Sequence, residues 1–371
     1  MPDSSEYYMS RALELARRAE GRTAPNPPVG ALIVRNGQVV GEGFHPAAGS
    51  PHAETFALRQ AGEAARGSDL YVTLEPCSHQ GRTGPCAEAA IAAGIGRVFV
   101  GVQDPNPQVA GRGLALLRAA GIEVVSGVLA AECRRLIAPF ARHILSGMPY
   151  TVYKTAMTLD GKTATAAGDS RWISADSSRR EVHRLRNRVE AIMVGIETVL
   201  HDDPLLTTRL PEGGRDPLRV IVDSRLRMPD SAAMLHQASA AATLIATTAA
   251  AADSAARRRL ETAGAELLVL PDLAGRVSLP ELWKELGRRQ VQTLLLEGGA
   301  TLAAAALQSG LIDRMMVFVA PKLIGGTSDY GIFRGAGCAR LADAPALEDL
   351  RLQRFDDDIL ICGEVVRCLP D

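Results

Sequence analysis

Residues 69–94 read DLYVTLEPCSHQGRTGPCAEAAIAAG, and this stretch decides how the first half of the chain folds. DLYVTLE (69–75) is a β-rich apolar run that stops at a proline, and CAEAAIAAG (86–94) has helical composition behind Pro85. Working outward, ALIVRNGQVVGEGF (31–44) is a hairpin signal, with Asn36-Gly37 suited to a type I′ turn between two β-rich runs. Ser50-Pro51 supplies a cap and a first-turn proline for a helix through HAETFALRQAG. Downstream, RVFVGV (97–102), GLALLRAAG (113–121) and IEVVSGV (122–128) alternate strand, helix, strand. Past the hairpin this alternation implies an α/β sandwich with a mostly parallel sheet.

The chain has 371 residues, 47% hydrophobic and 22% charged, with a formal net charge of −1. That length suggests two domains, and the near-zero charge argues against nucleic acid or an anionic membrane as partner. The N-terminal MPDSSEYYMSRALELARRAEG lacks a signal-peptide core, and its apolar residues follow helical spacing. No apolar run reaches the roughly 18 residues of a membrane span. The expected compartment is the cytoplasm, where the six cysteines stay reduced. Cys133, Cys338, Cys362 and Cys368 are scattered and read as ordinary core or surface residues. Cys77 and Cys86 do not.

His52-Ala53-Glu54 lies at the start of one predicted helix, Cys77 follows a strand, and Cys86 opens the next helix. Helix N-termini favour thiolate. One imidazole and two thiolates are three zinc ligands, which leave a fourth tetrahedral position open, as in catalytic rather than structural sites. Glu54, two residues past His52, is placed to handle protons without ligating. The pattern matches the H-x-E and P-C-x-x-C signature of zinc nucleobase deaminases, except that eight residues rather than two separate the cysteines. The competing reading is a structural zinc with His79 as fourth ligand.

Around 146–149 the pattern pauses, and the expected domains are 1–146 and 147–371. Strands are expected at 191–195, 218–224, 243–248, 266–270, 293–299 and 314–323, with an antiparallel ending near RLQRFDDDILICGEVV. No G-x-G-x-x-G follows a strand in this half. Instead LLLEGGATLAAAAL (294–307) ends a buried strand in Glu-Gly-Gly before a helix near Thr301, which offers free N–H groups to a phosphate. A tight turn without function is the alternative.

NPPVGALIV (26–34), HAETFAL, EPCSHQGRTGPC and DPNPQVAGRG (104–113) together resemble the bacterial bifunctional riboflavin-biosynthesis deaminase–reductase family, whose members carry the longer Cys–Cys spacing. KTAMTLDGKTA (154–164), GDSRWIS (168–174), GIETVLHDDPLLTTR (195–209), VDS (222–224), LEGGATL and APKLIGG (320–326) resemble its reductase half. The resemblance implies an α/β chain with a cytidine-deaminase-like three-layer α/β/α domain and a dihydrofolate-reductase-like α/β domain. It implies a zinc-dependent pyrimidine deaminase followed by an NADPH-dependent reductase, acting in turn on a pyrimidine ribotide, and a homodimer or homotetramer. His52, Cys77 and Cys86 would hold zinc, with Glu54 catalytic. Asn26 and the backbone of 27–30 would hold the ring edge, and His79, Arg82 and Asn106 the ribose-phosphate; turn residues and solvated charges are the other reading of these last three. In the reductase the resemblance puts substrate contacts on Lys154, Ser170, Arg186, Leu206, Arg209 and Glu297. It puts cofactor contacts on Ala156, Trp172, Thr198, Asp202, Ser224 and the run Gly299, Ala300, Thr301, Leu302, Ala303, Ala304, Ala305. Arg186 and Arg209 suit a phosphate. Lys154 and Glu297 are the candidate proton donors, or else ion-pair partners that hold the site. Trp172 could be core, and Asp202 could simply shape a turn with Asp203-Pro204.

Overall fold

The computed structural model describes residues 4–78, 84–252, 254–326 and 330–366 and divides the chain into two units, Met1–Met148 and Pro149–Asp371. The break falls two residues beyond the one expected, because the last helix of the first unit runs to Ser146 and Gly147 ends it in the left-handed region, at φ 68°.

The first unit contains α1 (Ser4–Arg17), β1 (Gly30–Arg35), β2 (Gln38–Phe44), α2 (Ala53–Ala61), β3 (Asp69–Leu74), α3 (Cys86–Ala92), β4 (Arg97–Val102), α4 (Arg112–Ala119), β5 (Glu123–Ser126), α5 (Ala130–Leu136) and α6 (Ala138–Ser146). The sheet order is β2-β1-β3-β4-β5. β1 is antiparallel to β2 and β3, and β3, β4 and β5 are mutually parallel. Asn36 and Gly37 both have positive φ, 50° and 77°, as the expected hairpin turn requires. Because strand side chains alternate in direction, both faces of the central strands are apolar and both are covered. Ile33, Val72, Val98 and Val100 pack with Ala53, Ala57, Ala87, Ala90, Leu114 and Leu117 on one side. Leu32, Tyr71 and Phe99 pack with Met9, Leu13, Cys133 and Leu136 on the other. Three layers result. Gly43 decides where α2 lies: a Cβ there would come within 2.4 Å of the Ala53 carbonyl oxygen, so only glycine lets the helix start rest on β2.

α2 begins later than expected. His52, not Ser50, is its N-cap, with extended backbone and no side-chain capping bond. The imidazole at the helix entrance is thereby left to other partners.

The second unit contains β6 (Tyr150–Thr158), α7 (Asp176–Arg188), β7 (Ala191–Gly195), α8 (Ile196–Asp202), β8 (Leu218–Val222), α9 (Ala233–His236), β9 (Thr243–Thr248), α10 (Ala249–Ala252), α11 (Ala255–Thr262) and β10 (Glu266–Leu270). A short ribbon of β11 (Asp272–Leu273) and β12 (Arg276–Val277) follows, then α12 (Leu279–Arg288), β13 (Thr293–Glu297), α13 (Ala300–Gln308), β14 (Arg314–Ala320), β15 (Leu347–Phe355) and β16 (Asp358–Val365). The nine-stranded order is β10-β9-β8-β7-β13-β6-β14-β16-β15. Strands β10 through β14 are parallel, and β16 and β15 close that edge antiparallel, as expected for the late strands. The chain steps outward from β7 to β10 and then returns to insert β13 between β7 and β6. The carboxyl ends beside such a reversal are where open parallel sheets bind ligands. Trp283 is wholly buried and donates its Nε1–H to Thr151 Oγ1 at 2.7 Å. Among the described residues no helix is long and apolar enough to cross a membrane.

Candidate active sites

Cys77 leaves β3 after the Glu75-Pro76 step, and Cys86 opens α3. The Ala87 N–H donates to the Cys77 carbonyl (3.2 Å) and the Cys86 N–H to the Cys77 sulfur (3.4 Å), so the helix start folds back onto the strand end. This brings His52 Nδ1 to 3.3 Å from Cys86 Sγ and 3.5 Å from Cys77 Sγ, and the three ligand atoms lie within 4.8 Å of one another. An imidazole and two soft sulfurs at that spacing suit zinc. The Cys86 thiol donates to Cys77, holding Cys77 below the ordinary thiol range and pushing Cys86 above it. The Cys77 sulfur in turn raises His52. Glu54 is 3% exposed, and burial pushes it up to about 7. Its carboxyl contacts the Cys86 thiol. A carboxyl poised near neutrality beside a metal cluster is what proton transfer needs.

Two residues that sequence reasoning missed support this cluster. His45, 2% exposed, meets the Pro51 carbonyl through Nδ1 and Asn26 Nδ2 through Nε2, both at 3.1 Å. Nδ1 must carry the proton to donate to a carbonyl, so Nε2 accepts from Asn26. That fixes the Asn26 amide with its NH₂ inward and Oδ1 left as an acceptor. Burial holds His45 below its ordinary pKa, which keeps this tautomer neutral. The second missed residue is Glu75, taken up below. Asn106 sits in the turn after β4, while His79 and Arg82 lie outside the described residues.

In the second unit, Lys154 and Glu297 are register partners on adjacent parallel strands. Glu297 is gripped bidentately by Arg186, Nε to Oε1 at 2.9 Å and Nη2 to Oε2 at 2.8 Å, and Arg186 Nη1 donates to the Thr207 carbonyl. Three of the five Arg186 N–H donors are engaged in this way, and Nη1 and Nη2 each keep a second N–H. Burial alone would raise Glu297, but Arg186 and then Lys154 take it down to about 2, which leaves it a carboxylate at neutral pH. The Lys154 ammonium is pushed down by burial. Arg209 is exposed; its N–H donates to His183 Nδ1 at 3.2 Å and its Nη1 to Thr207 Oγ1 at 3.2 Å. His183, also missed, is held down to about 4 by burial and by Arg186 and Arg209, so it stays an acceptor.

The glycine turn after β13 has φ 73° at Gly298 and 77° at Gly299, and a Cβ on Gly298 would lie 3.3 Å from Thr198 Oγ1. α13 starts at Ala300 without a side-chain cap, leaving first-turn N–H groups to an anion. Further into the predicted run, Ala303 N donates to the Gly299 carbonyl, and Ala303 and Ala304 are buried within α13. Leu206 is likewise buried, at φ 54°, which leaves only its backbone for contact. The Ser224 hydroxyl accepts from Val277 N. Asp202 draws Arg171 onto the end of α8 through its carbonyl, at 2.9 Å, and its carboxylate. Trp172 is 62% exposed, with the Arg179 guanidinium 4.5 Å over its ring, and is not core. Ser170 lies in the same loop, and Ala156 faces Phe318 in register on β6.

A His/Cys/Cys cluster with a neighbouring buried glutamate on three α/β/α layers is the architecture of zinc-dependent nucleobase deaminases, here joined to a parallel-sheet unit with a glycine turn at its switch point. Family models agree: residues 2–102 match the cytidine and deoxycytidylate deaminase zinc-binding region, and residues 149–361 match the RibD C-terminal domain. The chain is 42% identical to the riboflavin biosynthesis protein RibD of Escherichia coli K12, over 96% of this chain and 98% of that one. Acinetobacter baumannii RibD superposes with a TM-score of 0.84 at 40% identity, covering 98% and 99% of the two chains. A Thermotoga maritima diaminohydroxyphosphoribosylaminopyrimidine deaminase/5-amino-6-(5-phosphoribosylamino)uracil reductase also superposes at 0.84, with 35% identity and the same coverage. The chain belongs to the RibD family of riboflavin biosynthesis proteins and carries both a deaminase and a reductase unit.

Proposed function

We propose that the first unit deaminates 2,5-diamino-6-(5-phosphoribosylamino)pyrimidin-4(3H)-one to 5-amino-6-(5-phosphoribosylamino)uracil. The second unit then reduces the ribosyl chain to give 5-amino-6-(5-phosphoribitylamino)uracil. The convergence of His52, Cys77 and Cys86 beside buried Glu54 carries the first step. Zinc held by these three residues supplies a Lewis acid that brings a water's pKa toward about 7. Glu54 would take one proton from the attacking water to the adjacent ring nitrogen and carry the resulting hydroxyl's proton to the exocyclic amine, so that the C–N bond breaks, C=O forms and ammonia leaves. Asn26 Oδ1, oriented by His45, accepts from the ring edge.

NADPH supplies the hydride for the second step. Gly298 and Gly299, both at positive φ beside Thr198, and the uncapped start of α13 suit its phosphates. Lys154 gives the accompanying proton, since Glu297 is held as a carboxylate by Arg186. Arg209, with guanidinium donors still open, takes the substrate phosphate together with the remaining N–H donors of Arg186. His79 and Arg82 remain part of the proposed ribotide contacts, as do Ser170 and the Leu206 backbone. Trp172, Asp202, Ser224 and Ala156 line the proposed cofactor side. The enzyme is cytoplasmic and homo-oligomeric in this reading.

A coupled assay on zinc-replete protein tests the scheme by following ammonia release and NADPH oxidation together. Ammonia first, with stoichiometric loss of NADPH after it, is the expected result. Ammonia from a tRNA oligonucleotide and none from the pyrimidine ribotide would overturn it.

A further inference from the structure

Neither reaction above uses Glu75, yet it is 3% exposed and lies two residues before Cys77. A buried carboxylate must find donors. Glu75 finds four backbone N–H groups, all far away in sequence. Oε2 accepts from Asp104 at 3.1 Å and Gly111 at 2.9 Å, and Oε1 from Gly113 at 2.9 Å and Leu114 at 3.3 Å. Gly111 is the N-cap of α4, in the left-handed region, and has no side chain with which to cap it. The Glu75 carboxylate does that work from another strand, and its charge suits a helix start.

The same carboxylate holds the entrance of the turn that precedes α4. Inside the turn, Asn106 N donates to Asp104 Oδ1 (2.8 Å) and Gln108 N to Asn106 Oδ1 (3.0 Å). Val109 N and Ala110 N both donate to the Asn106 carbonyl at 2.9 Å. With Oδ1 engaged by Gln108, Asn106 meets a ligand through its Nδ2 donors. The turn's far end touches the metal-bearing strand end directly: a Cβ on Gly113 would lie 1.9 Å from the Pro76 carbonyl oxygen.

We propose that Glu75 is a positioning residue for deamination, clasping the 104–114 segment against the strand end that carries Cys77 and so placing Asn106 to donate to the anionic sugar-phosphate end of the substrate. The inference rests on reading Asn106 as a ribotide contact. The test measures zinc content and ammonia-release kinetics for full-length Glu75→Gln, Asn106→Ala and the double variant. Glutamine keeps the size but turns an NH₂ toward backbone donors. For Glu75→Gln, KM should rise about tenfold or more with kcat within about twofold, the scale of one lost charge-assisted hydrogen bond. Zinc should stay at the parent level, and the double variant should add little to Asn106→Ala alone. A loosened fold would lower kcat and zinc content instead, and that result overturns the proposal. A raised KM for Asn106→Ala beside an unchanged Glu75→Gln overturns the clasp and leaves the ribotide contact standing. An unchanged Asn106→Ala beside a raised KM for Glu75→Gln overturns the Asn106 contact and keeps the clasp. If Glu75→Gln fails to fold, Asp104→Ala loosens the turn from within, and an unchanged KM there overturns the proposal.

Discussion

Replacing Glu297 by glutamine tests the electrostatics of the reductase site directly. The carboxylate lies in a bidentate pair with Arg186, and both side chains are only about a tenth exposed, 11% and 12%. Lowering a carboxyl from 4.5 to about 2 is worth about 3 kcal/mol, at about 1.36 kcal/mol per pH unit. A depressed carboxyl stabilises the fold fully above its unfolded value and loses that stabilisation as pH falls toward about 2. At pH 7 the whole amount is therefore present. Glu297→Gln should cost about 3 kcal/mol there, in line with the roughly 3–5 kcal/mol for breaking one side of a buried pair. The gap between parent and variant should narrow from pH 4.5 downward. Both tryptophans lie in the second unit, and Trp283 is wholly buried, so urea unfolding followed by tryptophan fluorescence reports on this unit alone. The substitution also removes the charge that holds the Lys154 pKa up. If Lys154 is the proton donor, the alkaline limb of the reduction rate should move to lower pH. A variant as stable as its parent at pH 7, with an unmoved alkaline limb, would refute this reasoning.

Two further substitutions probe parts of the sites that hold ligands in place. His45→Phe leaves the Asn26 amide without its buried acceptor and should lower kcat/KM for ammonia release by about 1–3 kcal/mol, roughly tenfold to a hundredfold, with zinc content unchanged. Gly298→Ala forces a side chain into the left-handed region 3.3 Å from Thr198 Oγ1. It should cost roughly 1–2 kcal/mol of stability and weaken NADPH binding, measured by quenching of protein fluorescence, while ammonia release continues.

What the sequence made legible follows the range over which its signals act. The hairpin at Asn36-Gly37 and the strands at 191–195, 243–248 and 266–270 are set by local turn chemistry and apolar runs, and they stand where expected. Cys77 and Cys86 were legible because one follows a strand stopped by a proline and the other opens a helix behind Pro85, and His52 because it stands in an H-x-E pattern with them. The start of α2 was not, because His52 took the cap that Ser50-Pro51 seemed to supply. Glu75 meets partners 29 to 39 positions away, and Glu297 meets Arg186 across 111. No periodicity records such pairings; only the folded sheet brings them together. The pairing of Arg186 with Glu297 was hidden for the same reason, since a guanidinium in a helix can serve a phosphate, a carboxylate or both.

The most direct test of the account measures ammonia release and bound zinc on the same preparations of parent and Glu54→Gln protein. The account predicts one zinc per chain in both, and ammonia release from the variant lower by roughly 10²- to 10⁴-fold, the range for losing a positioned proton carrier. Ammonia released by zinc-loaded Glu54→Gln at the parent rate would contradict it.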